Sequence, residues 1–444
     1  MKIANWGNYP VVNAVSRGFE TSAALKQILS EWSQTIPRGM GRSYGDASLG
    51  EHIVSTLKHN HILEFDSKQG IVTCEAGVTL AELLEIFVPR GFFPGVTPGT
   101  RFITIGGGIA ADVHGKNHHK EGSFSSFVES FDLMTGDGRS LTCSRKKNSE
   151  LFWATFGAMG LTGIVMTVTM RLKPIQTAYI RQETHKAGNL DEIMALFEDS
   201  EDWTYTVAWI DCLAQGNALG RSVLMRGESA TLEDMARCGL SSQTPLLIKS
   251  GIKLDVPVNF PGWVLNSHTV KAFNELYYWK YPDQAHESVI PYDPFFYPLD
   301  SIYHWNRIYG KNGFLQYQFV IPKEVSREGL TRILKEISAQ GQASFLAVLK
   351  LFGKQNPAPL SFPMEGYTLA LDFAVKPGIF EFLDRLDQIV LDYGGRLYLA
   401  KDARMKPEFF HQTYADNEQA KQMIQKYGKQ KFASMLSQRL GVTS

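Results

Sequence analysis

The sequence predicts an α+β protein in which a glycine-rich first part precedes a second part built on an antiparallel sheet. From about Thr35 to Pro174, short β-type runs alternate with glycine-rich loops, and the helices between them, such as Leu80 to Pro89, are modest. After Pro174 the pattern changes to longer helical segments and well-separated strands. A chain of 444 residues is long enough for such a division. The first part does not show the regular strand and helix alternation of a doubly wound sheet.

Composition restricts the partners of the protein. Lysine plus arginine and aspartate plus glutamate each number 45, so no net charge steers the protein toward nucleic acid. A site that binds phosphate must therefore depend on positive charges placed close to it. The four cysteines are scattered without a C-x-x-C pair, which favours a reducing compartment. No secretory signal and no stretch of ~20 apolar residues is visible. We expect a cytoplasmic protein, with peripheral contact to the inner face of the membrane and a periplasmic location as open alternatives.

Three glycine-rich loops in the first part predict one extended ligand enclosed by backbone. In PRGMGRSYGD, Gly39, Gly41 and Gly45 allow N–H groups to converge around a pyrophosphate, although a tight turn explains the pattern equally well. TIGGGIAADVHG matches the dinucleotide fingerprint, which requires a helix to begin inside the motif. The overlapping stretch DVHGKNHHKEG is poor helix material, so a standard nicotinamide-binding fold is not expected. WATFGAMGLTGIV precedes a β-branched strand.

Strand parity in the second part separates polar from apolar side chains. In FLQYQFV, Gln316 and Gln318 lie on one face of a strand, where they either meet solvent or bind sugar hydroxyl groups. Lys350 lies in the apolar strand SFLAVLKLFG, where an unpaired ammonium is costly to bury unless it reaches the strand end. The apolar segment 244–266, broken by glycine and proline, is either a buried loop or a mobile lid.

The stretch ADVHGKNHH places His114, His118 and His119 within six positions of a chain that has 11 histidines. A zinc site of the H-E-x-x-H type needs two histidines on one helical face with a glutamate, but Gly115 follows His114 and no glutamate occupies the motif. We therefore predict no metal site. His114 is predicted to position the substrate, and His118 and His119 are predicted to be structural.

A series of segments identifies a family resemblance. RGMGRSYGD, PGTRFITIGGGIAADVHGKNHH, ELFWATFGAMGLTGI, GFLQYQFVIP, LKLFG, APLSFP and RLYLAKD occur in the order seen in decaprenylphosphoryl-β-D-ribose oxidases, and the match spans nearly the whole chain. These enzymes are flavoproteins of the vanillyl-alcohol-oxidase or PCMH type. The resemblance implies an FAD-binding domain of two α+β subdomains at 1–178, a substrate-binding domain at 179–395 and a C-terminal segment at 396–444 that returns to the FAD-binding domain.

The resemblance also implies the residues that line FAD. They are Pro37, Arg38, Gly39, Met40, Gly41, Arg42, Ser43, Tyr44, Gly45, Asp46, Ala47, Gly99, Thr100, Thr104, Ile105, Gly106, Gly107, Ala111, Asp112, Val113, His114, Ile164 and Tyr398. In several relatives a histidine of the first loop is bonded covalently to the flavin, and Arg42 occupies that position here. We therefore predict noncovalent FAD, and flavin that stays with acid-precipitated protein would contradict this prediction.

On the substrate side the resemblance implies two further sets of residues. The implied catalytic residues are Lys401, His114 and Tyr44, with Lys401 beside the isoalloxazine ring, where its charge stabilises the reduced flavin. The implied substrate-binding residues are Lys116, Gln316, Gln318, Lys350 and Thr368, with a phosphate as the charge partner of Lys350.

Three positions depart from the mycobacterial members of the family. Those members carry cysteine, asparagine and tyrosine where this chain has Ala370, Thr368 and Phe296. The exact lipid and sugar therefore stay open, and thiol-directed inhibitors are not expected to be captured at Ala370.

The implied activity is oxidation of a secondary hydroxyl of a polyprenyl-phosphate pentose to the 2-keto sugar, with hydride passing to FAD. A separate short-chain NAD(P)H-dependent reductase would then complete a 2′-epimerisation. Three alternatives stay open: a soluble sugar, alditol or aldonolactone oxidase on the same flavin fold, a histidine-dependent metalloenzyme, and a flavin-binding protein without catalytic activity.

Overall fold

The computed structural model describes residues 1–248, 253–261, 264, 266–342, 344, 346–415 and 417–444. Its strands are β1 (Lys2–Ala4), β2 (Val11–Asn13), β3 (Val15–Gly18), β4 (Ile36–Arg38), β5 (His52–Ser55), β6 (Ile62–Asp66), β7 (Ile71–Glu75), β8 (Phe92–Pro94), β9 (Val128–Met134), β10 (Ser140–Ser144), β11 (Ile164–Pro174), β12 (Tyr179–Ala187), β13 (Tyr205–Ile210), β14 (Ser222–Ser229), β15 (Leu254–Asp255), β16 (His286–Pro291), β17 (Ile302–Tyr303), β18 (Phe314–Pro322), β19 (Ala347–Phe352), β20 (Gly366–Ala374) and β21 (Arg396–Leu397).

The α-helices alternate irregularly with these strands. They are α1 (Ser22–Glu31), α2 (Leu80–Phe87), α3 (Ile105–Ala110), α4 (His118–Glu121), α5 (Ser149–Thr155), α6 (Leu190–Glu198), α7 (Leu232–Arg237), α8 (Ser267–Trp279), α9 (Tyr292–Phe296), α10 (Ser326–Ala339), α11 (Ile379–Asp392), α12 (Pro407–Thr413), α13 (Asn417–Met423) and α14 (Met435–Arg439). Among the described residues, no helix combines the length and apolarity needed to cross a bilayer.

The first part of the chain contains two main sheets. Strands β3, β5 and β4 form a parallel sheet in that order. An antiparallel sheet runs β10-β9-β11-β7-β6, and β8 pairs with β11. Helix α2 forms as expected, because Thr79 and Glu82 make a capping box and its buried leucines recur at helical spacing. Two sheets of different type match the predicted α+β arrangement of two subdomains.

The second part is built on one large antiparallel sheet. Its order is β16-β12-β14-β13-β19-β20-β18-β21, and it contains the predicted strands FLQYQFV, AVLKLF and GYTLALDFA. One face of β18 packs on α11, where the Tyr317 hydroxyl donates to Asp387 at 3.0 Å. The other face turns toward the FAD-binding loops, where Gln318 contacts His114. The predicted division of β18 into two different faces is confirmed.

After β21 the chain returns to the first part. The Tyr398 hydroxyl donates to the Ala111 carbonyl at 2.9 Å, and the Ala433 N–H donates to the Thr35 carbonyl at 3.0 Å. Arg439 binds both Asp46 and Asp402, with Nη2 2.8 Å from Asp46 Oδ1 and 2.9 Å from Asp402 Oδ2. The domain bounds at 178 and 395 stay predictions.

Two expectations need correction. The motif TIGGGIAADVHG does contain a helix: α3 begins inside it, because the Thr104 hydroxyl caps it by accepting from the Gly107 N–H at 3.1 Å, and α4 adds one turn within KNHHKEG. Helix α3 ends before Asp112, whose φ of +40° breaks the helical path. Because the adjoining sheet is antiparallel, the fold is still not a nicotinamide-binding one.

The segment 244–266 is described only in part, since residues 249–252, 262, 263 and 265 lie outside the described residues. Three of its described apolar residues are exposed, since Leu247, Leu254 and Val258 are 58%, 59% and 64% exposed, whereas Val256 is buried. The expectation of a buried loop therefore fails for the three exposed positions. Strand β15 within this segment pairs in parallel with β17.

Candidate active site

The three glycine-rich loops converge on one another. A β-carbon on Gly39 of the first loop would overlap the Thr104 hydroxyl of the second, and one on Gly160 of the third loop would lie 2.7 Å from Pro37. The third loop also meets α3, where the Met159 N–H donates to the Ala110 carbonyl at 2.9 Å. Glycine permits these approaches without displacing the Thr104 and Pro37 side chains. The loops therefore form one continuous backbone wall, as the sequence predicts for an extended ligand.

In the first loop, the charged side chains hold the loop in place. Arg38 donates to the Ala4 carbonyl at 2.8 Å, and Asp46 is bound by Arg439. Arg42 stacks on Trp6, with 4.6 Å from its guanidinium carbon to the ring centroid. A β-carbon on Gly45 would overlap the Asp402 carbonyl, so this loop lies directly against the turn that carries Lys401. Of the remaining predicted residues, Ala47 is buried in the core, whereas Met40, Gly41 and Ser43 are partly exposed.

Asp112 is fixed in the same way in the second loop. Its buried carboxylate accepts from the Ser123 hydroxyl at 2.9 Å, the Ser125 N–H at 3.1 Å and the Asn356 amide at 2.6 Å, and also from the Ser361 hydroxyl. Asn356 and Ser361 come from the loop after β19, so Asp112 joins the two parts of the protein. These bonds also stabilise its left-handed backbone, which presents Val113 and His114 to the site. Sequence patterns gave no sign of this network.

The remaining predicted cofactor residues lie around these loops. Thr100 accepts a hydrogen bond from the Phe102 N–H at 3.2 Å, and a β-carbon on Gly99 would meet nothing within 4 Å. Ile105, the first residue of α3, is fully buried, and Gly106 packs against Ala76. Tyr398 stacks on Phe362 and touches the His114 ring at 5.2 Å between centroids. Ile164 differs from the others because it packs in the apolar cluster of α1 with Met134 and Phe432.

The protonation of His114 can be worked out from its neighbours. The Thr368 hydroxyl donates to the Phe319 carbonyl at 2.7 Å, so its oxygen accepts from the Gln318 amide at 3.3 Å. The same amide nitrogen lies 3.0 Å from His114 Nε2, which must therefore be the acceptor. Burial, together with the positive charge of Lys350, holds the pKa of His114 well below its usual range, so the ring is neutral. Its proton consequently resides on Nδ1.

His114 Nδ1 is buried and has no hydrogen-bond partner among the described residues. A buried N–H without an acceptor costs about 1–3 kcal/mol. A ligand that offers an acceptor oxygen or nitrogen at this position would remove that cost. His114 thus fits a role as a hydrogen-bond donor to a ligand, in line with its predicted positioning role, and its Nε2 is not available as a base.

His118 and His119 make contacts within the protein. His118 Nδ1 accepts from the Gly353 N–H at 3.2 Å, and His119 Nε2 lies 2.8 Å from the Trp203 carbonyl. Both rings join the loop after α3 to the large sheet. No group of three potential metal ligands occurs in the described part of the chain.

Three partly buried lysines face the chamber between the loops and the large sheet. Lys116 donates to the Phe295 carbonyl and lies 4.4 Å from that ring, while Lys401 Nζ lies 3.9 Å from the Tyr44 ring centroid. Burial and the neighbouring Lys350 lower the pKa of Lys116 to about 7, and burial lowers the pKa of Lys350 to about 8. Within the described residues, no carboxylate comes within 4.0 Å of any of the three ammonium groups. Lys116 and Lys350 in particular have no described carboxylate beside them, so this side of the chamber suits an anionic ligand.

Gln316 lies on the same face of β18 as Gln318 but has a different partner. Its amide donates to Asp372 Oδ1 at 2.6 Å and also faces the Tyr44 hydroxyl. The Tyr309 hydroxyl donates to Asp372 Oδ2 at 3.3 Å. Both glutamines are nearly buried, at 9% and 5% exposure, so the alternative that they meet solvent is wrong. Asp372 and Tyr309 were not predicted as site residues. Asp372 could have been found, because it is a charged residue in the apolar strand GYTLALDF, just as Lys350 is in its own apolar strand.

Comparison with known proteins decides the family. A family model described as an FAD binding domain matches residues 19–144. The decaprenylphosphoryl-β-D-ribose oxidase of Mycolicibacterium smegmatis is 41% identical over 385 residues, which are 85% of this chain and 83% of the relative. This chain belongs to the decaprenylphosphoryl-β-D-ribose oxidase family.

More distant relatives share only part of the chain with this family member. L-gulonolactone oxidase of Scyliorhinus torazame is 29% identical over 180 residues, or 38% of this chain and 41% of the relative. The human Delta(24)-sterol reductase is 29% identical over 136 residues, or 31% of this chain and 26% of the relative. Family membership and the matched domain together make the protein an FAD-dependent oxidoreductase of the PCMH type.

The residues present fit FAD. The converging glycine loops offer a backbone cradle for a pyrophosphate, and the unpartnered Nδ1–H of His114 and the ammonium group of Lys401 face the same chamber. Pro37 to Ala47 and Gly99 to Gly107 would hold the cofactor, with Tyr398 behind His114.

Proposed function

We propose that this protein oxidises a secondary hydroxyl of a polyprenyl-phosphate pentose to the 2-keto sugar. When bound, FAD would supply the two-electron oxidation, in which the carbinol hydrogen leaves as hydride to the flavin and the hydroxyl proton passes to solvent; oxygen or a quinone-like carrier would take the electrons onward. The observation that carries the proposal is the pair Lys116 and Lys350, two desolvated cations without a carboxylate partner in the described residues. A phosphate would supply the missing negative charge. The printed name of the mycobacterial relative supports the same substrate class.

The proposed roles of the other residues follow from their contacts. His114 Nδ1–H donates to a substrate oxygen, since Gln318 and Thr368 hold the ring in that tautomer. Lys401 and Tyr44 face the reacting hydroxyl from the flavin loops, and Gln316 orients the Tyr44 hydroxyl. These groups are held by strands and tight turns, so they need little reorganisation on binding.

A contact with the lipid bilayer is also part of the proposal. The aromatic cluster of Tyr44, Trp305 and Phe314 is continuous with Ile302 of β17, and β17 pairs with β15, whose Leu254 is 59% exposed. We propose that this series of apolar residues continues to the surface, where Val258 is 64% exposed. A prenyl chain would follow it into the membrane, because exposed aliphatic side chains favour an apolar environment.

We further propose that a separate NAD(P)H-dependent reductase consumes the keto sugar, so that the two enzymes together epimerise the 2′ carbon. This step rests on the chemistry of the product: a ketone has lost the configuration at its carbon, and hydride addition from the opposite face gives the epimer. Turnover of substrate to epimer by the oxidase and such a reductase, but by neither alone, would test it.

The rival activity is oxidation of a soluble sugar, alditol or aldonolactone, as in the gulonolactone relatives. Anaerobic titration of the flavin absorbance separates the two. The proposal expects bleaching by a prenyl-phosphate pentose and little by free pentose, alditol or aldonolactone at equal concentration. The opposite order would favour the rival.

A further inference from the structure

Asp372 is a carboxylate with 0% exposure in the middle of β20, where it pairs in register with Gln316 of β18. Its carboxylate accepts from the Gln316 amide and the Tyr309 hydroxyl, and its backbone N–H donates to the Ser344 hydroxyl oxygen at 2.8 Å. No cation lies within 4.0 Å of its oxygens among the described residues. A buried carboxylate that lacks a direct ion pair is costly, so its presence in an apolar strand calls for a functional reason.

The charged and titratable groups around Asp372 come from four elements. Tyr309 follows β17 and stacks on Phe314, and Tyr44 of the first loop meets the edge of the same Phe314 ring. Lys401 comes from the turn after β21, and its charge acts directly on Asp372. The positive charge of Lys350 of β19 disfavours the protonated form of Lys401, whereas Asp372 favours it. Asp372 is thus the negative charge that faces the cationic chamber.

We propose that Asp372 is a positioning residue that holds Gln316 against the Tyr44 hydroxyl and keeps the Lys401 amine protonated. Without it the chamber would contain Lys116, Lys350 and Lys401 with no compensating charge, and Lys401 is the one nearest to Tyr44. This inference deepens the proposed function by assigning a residue that sets the charge state of Lys401.

The direction of the expected effect follows from the contributions to Lys401. Burial and Lys350 lower the pKa of Lys401, and Asp372 raises it. Burial raises the pKa of Asp372, while Gln316, Lys401 and Tyr309 oppose that rise. Replacing Asp372 by asparagine removes the contribution that favours the ammonium form. Lys401 should then lose its proton at a lower pH, with a shift of about one unit or more.

The test is trace acetylation of the holoprotein with acetic anhydride over a pH series, with mass spectrometry of the Lys401 peptide. This readout measures the neutral amine directly and needs no substrate. In D372N the pH at which half of the maximal labelling rate is reached should fall by about one unit or more. In Y309F, which removes only one donor to the carboxylate and so makes Asp372 easier to protonate, the fall should be smaller but in the same direction.

D387N is the matched control. Asp387 is also buried and also accepts from a tyrosine of β18, Tyr317, but on the opposite face of the strand. This variant loses stability through its contact with Arg404, and its Lys401 labelling profile should match that of the wild type. Equal Lys401 labelling profiles for wild type, Y309F and D372N would overturn the proposal. If D372N does not fold, the labelling profile of Y309F is compared with that of D387N, and equal profiles would overturn the proposal.

The pH profile of substrate-dependent flavin bleaching provides a second readout, whose alkaline limb should move to lower pH in D372N. If the wild type shows no bleaching with any prenyl-phosphate pentose, the proposed function fails, while the labelling result still decides the role of Asp372. If the wild type bleaches and D372N keeps the wild-type labelling and bleaching profiles, the inference about Asp372 fails and the proposed function stands.

Discussion

Gln318 donates its amide hydrogen to His114 across the boundary between the large sheet and the FAD-binding loops, with 3.0 Å between the two Nε2 atoms. Because Thr368 fixes the orientation of that amide, a hydroxyl on β20 determines the tautomer of a histidine some 250 residues earlier in the chain. The neutral ring then presents an Nδ1–H that only a ligand can satisfy among the groups described here.

Substitution of Thr368 by valine should impair turnover more than folding. Valine has the same shape but cannot accept from Gln318, so the amide and the His114 ring lose their fixed orientation. We expect kcat/KM to fall about tenfold, which corresponds to about 1.4 kcal/mol. The matched control is Thr184→Val, because Thr184 of β12 accepts from the Gln182 amide at 3.0 Å in the same way but outside the site. Equal losses of kcat/KM in both variants would contradict this role of Thr368.

Replacing Lys350 by methionine should raise stability while it weakens binding of the phosphorylated substrate. Methionine keeps the aliphatic stem and removes a desolvated charge that has no carboxylate partner in the described residues, so the melting temperature should rise. KM for the prenyl-phosphate pentose should increase at least about tenfold, the loss expected when one charge-assisted bond to phosphate is removed. Lys354→Met changes an exposed lysine of the next loop and should alter neither quantity. A lower melting temperature in Lys350→Met with unchanged KM would refute the proposed anion site.

Binding of the anionic substrate should weaken as the pH rises. The pKa of Lys116 is lowered to about 7 and that of Lys350 to about 8, so both amines are charged below about pH 7 and lose their protons above these values. A bound phosphate favours the protonated forms and moves the loss to higher pH. KM for the phosphorylated substrate should therefore rise between about pH 7 and pH 9, whereas KM for an uncharged sugar should not. A KM for the phosphorylated substrate that stays constant over this range would exclude these lysines as its ligands.

Glycine at position 45 should be essential for flavin retention. Any β-carbon there would overlap the Asp402 carbonyl and separate the first loop from the Lys401 turn. Gly45→Ala is expected to yield protein with little bound FAD or insoluble protein. In Gly18→Ala, the new methyl group would meet only the Lys58 side chain and the Ser55 carbonyl at 3.5 Å or more, so that variant should bind FAD normally. Flavin content per protein, read from the absorbance spectrum, checks both.

Features set by local sequence could be predicted, and features set by distant contacts could not. The faces of β18 follow from alternation along one strand, and the three loops from their glycine spacing. Helix α3 was missed because its cap from Thr104 and its packing against Ala76 and Phe124 outweigh the low helical propensity of glycine. Asp372 meets Gln316 only through the register of β20 on β18, and Arg439 reaches Asp46 from the other end of the chain.

The central claim is that this flavoprotein oxidises a lipid-linked, phosphorylated pentose. Its most direct test is the visible absorbance of the FAD-loaded protein, followed anaerobically while decaprenylphosphoryl-ribose is added. We expect the band of the oxidised flavin to disappear in proportion to the substrate added, while free ribose leaves it unchanged. A protein that holds no flavin after reconstitution, or a flavin that no prenylated or phosphorylated pentose bleaches, would contradict the account.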